Sequence, residues 1–257
     1  MQALLKILLL QLLASLGQQA LGSEIINGER VKEGSRPYMA SVQSSMGHEC
    51  GGFLISEDYV VTAAHCDDFN PPKSVVLGTH NLKKIDPKMK YGIEKKCKHP
   101  AYVNVGLGND IMLLKLSRKA RDGKNKPIKP LDLPRPAIHG TANKMCSVAG
   151  WGKIKTTGNN VDELREAKVS MINLEKCEEI WKVELPNNVI CAGGYGSQRG
   201  FCQGDSGGPL VCDGNVAVGV ASFNKLRRCV YPDVPNVYTD LHKFVPWIKN
   251  ILRTKKC

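Results

Sequence analysis

Gly204-Asp205-Ser206-Gly207-Gly208-Pro209 is the stretch of sequence that most constrains the fold and its chemistry. Glycines on both sides of a serine permit a tight turn, and they leave room for a reacting group to reach the backbone N–H groups of Gly204 and Ser206. A turn without any chemical role explains such a segment equally well when it is taken alone. The segment is a candidate nucleophile site only if a base and an acid accompany it elsewhere in the chain.

Two further motifs supply that base and acid. They are Thr62-Ala63-Ala64-His65-Cys66 and Asn109-Asp110-Ile111-Met112-Leu113-Leu114. A serine hydroxyl needs an imidazole to remove its proton and a buried carboxylate to fix the tautomer of that imidazole. Taken singly, His65 could be a buried structural histidine and Asp110 a helix N-cap. Because the three motifs occur together in the order His, Asp, Ser, we predict that His65, Asp110 and Ser206 are catalytic.

Short apolar runs between Gly, Pro, Asn and Asp clusters are typical of an all-β sandwich or barrel. The Pro-rich stretch Pro127–Pro136 divides them into two series, as a linker between two barrels would. The first series is Tyr38–Val42, Phe53–Ile55, Tyr59–Ala64, Val75–Leu77 and Ile111–Leu116. The second is Cys146–Ala149, Ala167–Ile172, Pro209–Cys212, Val216–Ser222 and Val237–Thr239.

The C-terminal tail follows a different period. Phe244, Trp247, Ile248, Ile251 and Leu252 recur at spacings of three and four residues, which predicts one amphipathic α-helix packed against a barrel. Pro246 is expected in the first turn of that helix.

The first 22 residues have the pattern of a secretory signal peptide. Lys6 precedes an apolar run from Ile7 to Leu16, and small residues follow at cleavage spacing. A membrane anchor is the alternative, but the run has roughly half of the 20 residues that span a bilayer, and Gln11 interrupts it. We therefore predict a secreted chain without stable membrane insertion.

The chain contains ten cysteines. In an oxidising compartment these are expected to form disulfides rather than to bind metal, and the sequence contains neither a CxxC pair nor an HExxH motif. We therefore expect no metal site.

The formal net charge of +12 predicts attraction to polyanions. Aromatic residues are not interleaved with the basic ones, as a platform for single-stranded nucleic acid would require, so nucleic acid is not an expected partner. A sulfated proteoglycan is the polyanion that we expect in a secretory compartment. A soluble basic surface with no partner is the alternative.

Together, the three motifs resemble those of the chymotrypsin-like family of serine peptidases, and the resemblance extends from Ile25 to the C-terminal helix. It implies an all-β fold of two six-stranded antiparallel β-barrels, with a C-terminal α-helix and the catalytic residues between the barrels. The N-terminal barrel is expected over residues 25–130, and the second barrel and the helix over 131–257. The resemblance also implies protein or peptide substrates, an acyl-enzyme, serpin-type inhibitors as partners, and no cofactor.

The same resemblance implies a pairing for eight cysteines. The implied disulfides are Cys50–Cys66, Cys146–Cys212, Cys177–Cys191 and Cys202–Cys229. Cys97 and Cys257 are left over. They form either a fifth bridge that tethers the C-terminal tail, or two free or intermolecular thiols.

Ile25-Ile26-Asn27-Gly28 resembles the mature N-terminus of the family, whose freed α-amino group pairs with the aspartate before the nucleophile. Here that aspartate is Asp205, although a simple turn residue is the alternative. Ser23-Glu24 would remain after signal cleavage. A two-residue acidic propeptide is similar to those of granzymes and mast-cell proteases, which a dipeptidyl peptidase activates inside storage granules.

The resemblance places Gly200, six residues before Ser206, at the floor of the primary specificity pocket. An aspartate there selects Arg or Lys, so cleavage after those residues is not expected. Phe201, Asn224 and Asn236 depart from the usual pattern and are expected to narrow the pocket. Asn236 favours a polar substrate side chain and Phe201 an apolar one, and the sequence leaves both open.

Ser222-Phe223-Asn224 is expected to pair with the substrate backbone as a short antiparallel strand. The resulting hypothesis is a secreted or cytotoxic-granule serine endopeptidase, non-tryptic and granzyme-like, with a role in immune defence. The alternative hypothesis is a catalytically weak protein of the same fold that binds polyanions or membranes. Phe201 and the two pocket asparagines keep the alternative open.

Overall fold

The computed structural model describes residues 25–121, 128–135, 143–225, 229 and 231–257. The predicted signal peptide, residues 1–22, and the predicted propeptide, residues 23–24, lie outside the described residues. The strands are β1 (Glu29–Arg30), β2 (Met39–Ser44), β3 (Gly47–Leu54), β4 (Tyr59–Thr62), β5 (Ser74–Leu77), β6 (Lys90–Lys98), β7 (Met112–Leu116), β8 (Met145–Gly150), β9 (Arg165–Ile172), β10 (Val189–Ala192), β11 (Pro209–Cys212), β12 (Val216–Phe223) and β13 (Asn236–Asp240). The α-helices are α1 (Leu174–Trp181) and α2 (Leu241–Thr254). None of the helices in the described ranges is long and apolar enough to cross a membrane.

The strands form two antiparallel barrels, which confirms the predicted fold class. Strands β2, β3, β4, β7, β6 and β5 close the first barrel in that order. The second has the order β9, β10, β13, β12, β11, β8, and it closes because β8 pairs with both β9 and β11. The short strand β1 adds to the outside of β9.

The described part of the segment between the barrels contacts both of them. The Leu131 N–H donates to the Leu54 carbonyl of the first barrel, and the Asp132 N–H donates to the Asn215 carbonyl beside β12 of the second. The chain therefore passes from one barrel to the other within two residues.

The strand predicted over Tyr59–Ala64 ends earlier, at Thr62, and a 3₁₀ turn from Ala64 to Asp67 follows it. This turn carries His65 out of the barrel wall. Strand β6 was missed because only Tyr91 and Cys97 are fully buried among its nine residues, so no regular apolar alternation is visible.

Helix α2 was predicted, but its start was not. The Asp240 carboxylate accepts a hydrogen bond from the His242 N–H and caps the helix, which then begins at Leu241. The expectation that Pro246 lies in the first turn is therefore wrong, because it lies in the second. The predicted packing against a barrel is confirmed, since Leu241, Phe244, Ile248 and Ile251 join a buried cluster that contains residues of both barrels.

Five disulfides connect all ten cysteines. The four bridges implied by the family resemblance are present: Cys50–Cys66, Cys146–Cys212, Cys177–Cys191 and Cys202–Cys229. Cys97 pairs with Cys257, so the fifth-bridge alternative holds. This bridge fastens the C-terminal end of the chain, just after helix α2, to strand β6.

Candidate active site

His65 is positioned by its backbone and its ring together. Its Nδ1 lies 2.7 Å from Asp110 Oδ2, and its backbone N–H donates to Asp110 Oδ1 at 2.9 Å. The neighbouring Cys66 is fixed by its disulfide to Cys50 on strand β3. Because Nδ1 contacts the carboxylate, the other ring nitrogen, Nε2, remains available to a reacting group.

Asp110 lies between the barrels and is completely buried. Its Oδ2 also accepts a hydrogen bond from the Ser222 hydroxyl, and its backbone carbonyl accepts one from the Thr239 hydroxyl. Burial alone would raise the pKa of this carboxyl, but His65 and the hydrogen bonds from His65 and Ser222 hold it below its usual range. Asp110 is therefore ionised at neutral pH and can accept a hydrogen bond from the His65 ring.

Ser206 lies in the predicted tight turn. The following Gly207 has φ +81°, and a Cβ there would lie 2.2 Å from the Thr62 hydroxyl oxygen, so only glycine fits. The Ser206 carbonyl accepts a hydrogen bond from the Gly51 N–H at 2.8 Å. This contact joins the turn to the first barrel, and Ser206 and His65 line the same cavity of about 360 Å³.

The backbone N–H groups of Gly204 and Ser206 donate to no other group within the described part of the chain. Gly204 has φ +93°, a conformation that a side chain would strain. The two N–H groups are thus free to bind an oxygen atom that carries negative charge.

His48 supports the backbone of Gly204, a role that the sequence did not suggest. Its Nε2 lies 3.0 Å from the Gly204 carbonyl oxygen, and its Nδ1 lies 2.8 Å from the Ser41 hydroxyl. Burial lowers the pKa of His48 to about 4, so the ring is neutral at pH 7. Since a carbonyl only accepts, Nε2 carries the proton and Nδ1 accepts from Ser41.

Asp205 is fully buried behind the turn. Its carboxylate accepts hydrogen bonds from the N–H groups of Gly152, at 2.7 Å, and Cys202, at 2.9 Å. Burial raises the pKa of Asp205 to about 7, and no cationic side chain among the described residues pairs with it. Ile25 is also fully buried and belongs to the core of the second barrel.

The predicted pocket residues separate into two groups. Phe201, Ser222, Phe223 and Asn224 line the cavity beside Ser206. Gly200 and Asn236 are buried but do not line it. Asn236 instead hydrogen-bonds to Phe201 and to Tyr231, a residue that no sequence motif indicated.

Cys50, His65 and Cys66 are a group of potential metal ligands in the described chain. The two sulfur atoms form a disulfide and therefore provide no thiolate. The His65 ring already contacts Asp110, so this group does not resemble a metal site.

A protein-family model described as Trypsin matches residues 25–248. Granzyme B of Rattus norvegicus is 40% identical over 255 residues, which cover 97% of this chain and 99% of that protein. Duodenase-1 of Bos taurus is 39% identical over 254 residues, which cover 97% and 98%. The solved structure of neuropsin, a serine protease expressed in the limbic system of mouse brain, matches with a TM-score of 0.77 and 31% identity, covering 88% of this chain and 98% of that one. The chain therefore belongs to the trypsin family of chymotrypsin-like serine proteases and is a serine endopeptidase.

Proposed function

We propose that this endopeptidase is secreted or stored in granules, acts in immune defence, and cleaves peptide bonds after residues other than Arg and Lys. The observation that carries the catalytic part is the 2.7 Å contact between His65 Nδ1 and Asp110 Oδ2 at the edge of the cavity that Ser206 lines. The leader-like pattern of residues 1–22 and the similarity to rat granzyme B support the location. Serpin-type inhibitors are proposed as partners in addition to protein or peptide substrates.

The proposed reaction has two halves. His65 Nε2 takes the Ser206 hydroxyl proton while Oγ attacks the substrate carbonyl carbon, and the N–H groups of Gly204 and Ser206 bind the resulting oxyanion. His65 then gives the proton to the leaving amine, and the acyl group stays on Ser206. In the second half, His65 takes a proton from a water molecule that attacks the ester carbonyl carbon, and it returns this proton to Ser206 Oγ as the bond from Oγ to the acyl group breaks. Asp110 stabilises the imidazolium in both halves.

Hydrolysis of a denatured protein by the mature chain, beginning at Ile25, tests the proposal against the alternative of a catalytically weak binder. We expect peptide products that disappear after treatment with a fluorophosphonate. A mature chain that binds polyanions or membranes but releases no peptides would favour the alternative.

The proposed activation step rests on Asp205. A buried carboxylate is costly without a partner of opposite charge, and the described chain supplies no cationic side chain for it. The α-amino group that is freed at Ile25 would provide the cation. We propose that a dipeptidyl peptidase removes Ser23-Glu24, after which the Ile25 amine pairs with Asp205 and orders the turn that carries Gly204 and Ser206.

Protein that retains Ser23-Glu24 is therefore expected to be inactive, with kcat/KM lowered at least about a hundred-fold, the scale of a lost oxyanion donor. Removal of the dipeptide should restore activity. The measurement is peptide hydrolysis before and after treatment with a dipeptidyl peptidase, with a chain produced directly from Ile25 as the control. Equal turnover by the two forms would contradict this activation step.

We propose that the polyanion partner is a sulfated proteoglycan and that one basic cluster contributes strongly to its binding. The cluster consists of Lys88, Lys90 and Arg118, which are all exposed. The Arg118 guanidinium lies 3.8 Å from the centre of the Tyr91 ring and donates hydrogen bonds to the Lys88 and Lys90 carbonyls. None of the three side chains pairs with a carboxylate of the described residues, so their charge is available to sulfate groups.

Changing Lys88, Lys90 and Arg118 together to Gln should weaken binding to a heparin column by about ten-fold near 0.1 M salt, because fewer counterions are released. The matched control removes three lysines that each pair with a carboxylate: Lys83 with Asp162, Lys115 with Glu94 and Lys144 with Asp213. The control variant should elute at a salt concentration closer to that of the original protein. Identical elution of the two triple variants would contradict the assignment of the cluster.

A further inference from the structure

The cavity beside Ser206 ends at an unexpected residue. The family resemblance places the pocket for the substrate residue before the cleaved bond (P1) between two segments of the second barrel. Those segments contribute Phe201, Cys202, Gln203, Ser222, Phe223 and Asn224 to the lining of the cavity. Gly200 and Asn236 are described and buried, yet neither contributes to the lining. The open space therefore stops at Phe201, above the position where the family resemblance places the floor.

The Phe201 ring is held by aromatic packing. Only 2% of the residue is exposed, and its ring packs edge to face on Tyr238 with centroids 5.1 Å apart. Tyr238 is itself completely buried in strand β13. Phe201 thus belongs to the core of the second barrel, and a substrate side chain cannot displace it without opening that core.

The backbone of Phe201 is held on both sides. Its N–H donates to Asn236 Oδ1 at 3.0 Å, and its carbonyl accepts from the Tyr231 hydroxyl at 2.7 Å. The Asn236 amide donates to the same Tyr231 oxygen at 2.7 Å, which completes a ring of three hydrogen bonds. Burial raises the pKa of Tyr231 to about 12, so its hydroxyl remains a donor at neutral pH.

The space beneath Phe201 is already filled. A Cβ on Gly200 would lie 2.2 Å from Asn236 Oδ1 and within 3.0 Å of carbon atoms of the Tyr231 ring. No deep slot for an aromatic substrate ring remains there. The carboxylate in the cavity lining, Glu49, belongs to strand β3 of the first barrel, and none of the lining residues from the second barrel carries a carboxylate to neutralise a cation. The pocket is therefore shallow, uncharged and apolar at its base.

We propose that Phe201 forms the floor of the primary pocket, held in place by Asn236 and Tyr231, and that the enzyme consequently cleaves after small or medium-sized uncharged residues. This inference rests on the proposed function and adds its substrate class. It also resolves the two directions that the sequence left open, because the Asn236 side chain is engaged beneath Phe201 and is not presented to the substrate.

The test is a peptide library that varies only P1, applied to the mature enzyme, with active sites counted by fluorophosphonate titration. For the original chain we expect kcat/KM with Ala, Val, Thr or Met at P1 to exceed that with Phe, Tyr, Arg or Lys at least about ten-fold, the scale of a blocked apolar contact. Phe201→Ala should raise the ratio of Phe to Ala cleavage by about ten-fold or more. Phe201→Leu, which keeps apolar packing on Tyr238, should shift the same ratio in the same direction by less.

Phe69→Ser is the matched control, since Phe69 also lines this cavity but is 83% exposed and lies outside the segments assigned to the primary pocket. It should leave the order of P1 preference unchanged.

If the original chain is labelled by the fluorophosphonate but prefers an aromatic or cationic P1 residue, the pocket assignment is wrong and the proposed function stands. If the original chain is not labelled at all, the proposed function itself fails. A Phe201 variant that does not fold will not be labelled by the fluorophosphonate. In that case the P1 preference of the original chain alone decides whether the pocket assignment is correct.

Discussion

Ser206→Ala is expected to lower kcat of the mature enzyme by about a million-fold, the loss measured when the serine is removed from such a triad in another protease. Alanine has no hydroxyl to attack the substrate carbonyl, whereas the contact between His65 and Asp110 and the free N–H groups of the turn remain. The substrate should still bind, so KM should change much less than kcat. Steady-state hydrolysis of the best peptide from the P1 library measures the effect.

Ser35→Ala is the control for this substitution. Ser35 lies in an exposed turn, and its hydroxyl bonds only locally to the Lys32 carbonyl. Its kcat should stay within about two-fold of the original value, as for most surface changes. Activity of Ser206→Ala at a level comparable with this control would refute the assignment of the nucleophile.

Asp110→Asn is expected to lower kcat by about ten thousand-fold, the size known for the equivalent change in this family. The asparagine amide would donate to His65 Nδ1, so the proton of the ring would move to Nε2, which could then no longer accept the Ser206 proton. The amide also keeps only one oxygen, while the carboxylate serves the His65 ring, the His65 backbone N–H and the Ser222 hydroxyl.

The same peptide assay measures this effect, with Asp213→Asn as the control. Asp213 lies in an exposed turn and pairs with Lys144, so its loss should leave kcat nearly unchanged. An Asp110→Asn enzyme within ten-fold of the original would show that the carboxylate does not control the tautomer of His65.

The barrels could be predicted because most of their strands keep an apolar pattern along the chain. Strand β11, Pro209–Cys212, was predicted at its observed bounds. Strand β6 and helix α1 escaped prediction for different reasons. Strand β6 is rich in charged residues and fully buries only Tyr91 and Cys97, so it shows no regular alternation. Helix α1 has apolar residues at helical spacing, but it contains only eight residues and is shorter than the window in which such a pattern is recognised.

The residues proposed for the active site could be selected from the sequence because short motifs carry them. Their supporting partners were not, because they are distant in sequence. The Ser222 hydroxyl reaches Asp110 across 112 residues, and His48 reaches the Gly204 carbonyl across 156. From the sequence, Ser222 was expected to pair only through its main chain and His48 had no expected role, since neither contact can be inferred from neighbouring residues.

The specificity pocket also depends on contacts between residues that are distant in sequence. The family resemblance assigns positions to the pocket, but the direction of each side chain depends on packing. Phe201 packs on Tyr238, 37 positions later in the chain, and Tyr231 approaches Gly200 from a separate loop. The depth of the pocket can therefore be determined only when the positions of these three aromatic side chains are known.

Mass spectrometry of the mature chain after reaction with a fluorophosphonate tests whether Ser206 is an activated nucleophile. We expect one phosphonyl group per chain, attached to Ser206 in the peptide that contains residues 204–209, and no label after Ser206→Ala. Absence of labelling in the folded mature chain, or a label carried by another residue, would contradict the claim that His65, Asp110 and Ser206 form a working catalytic triad.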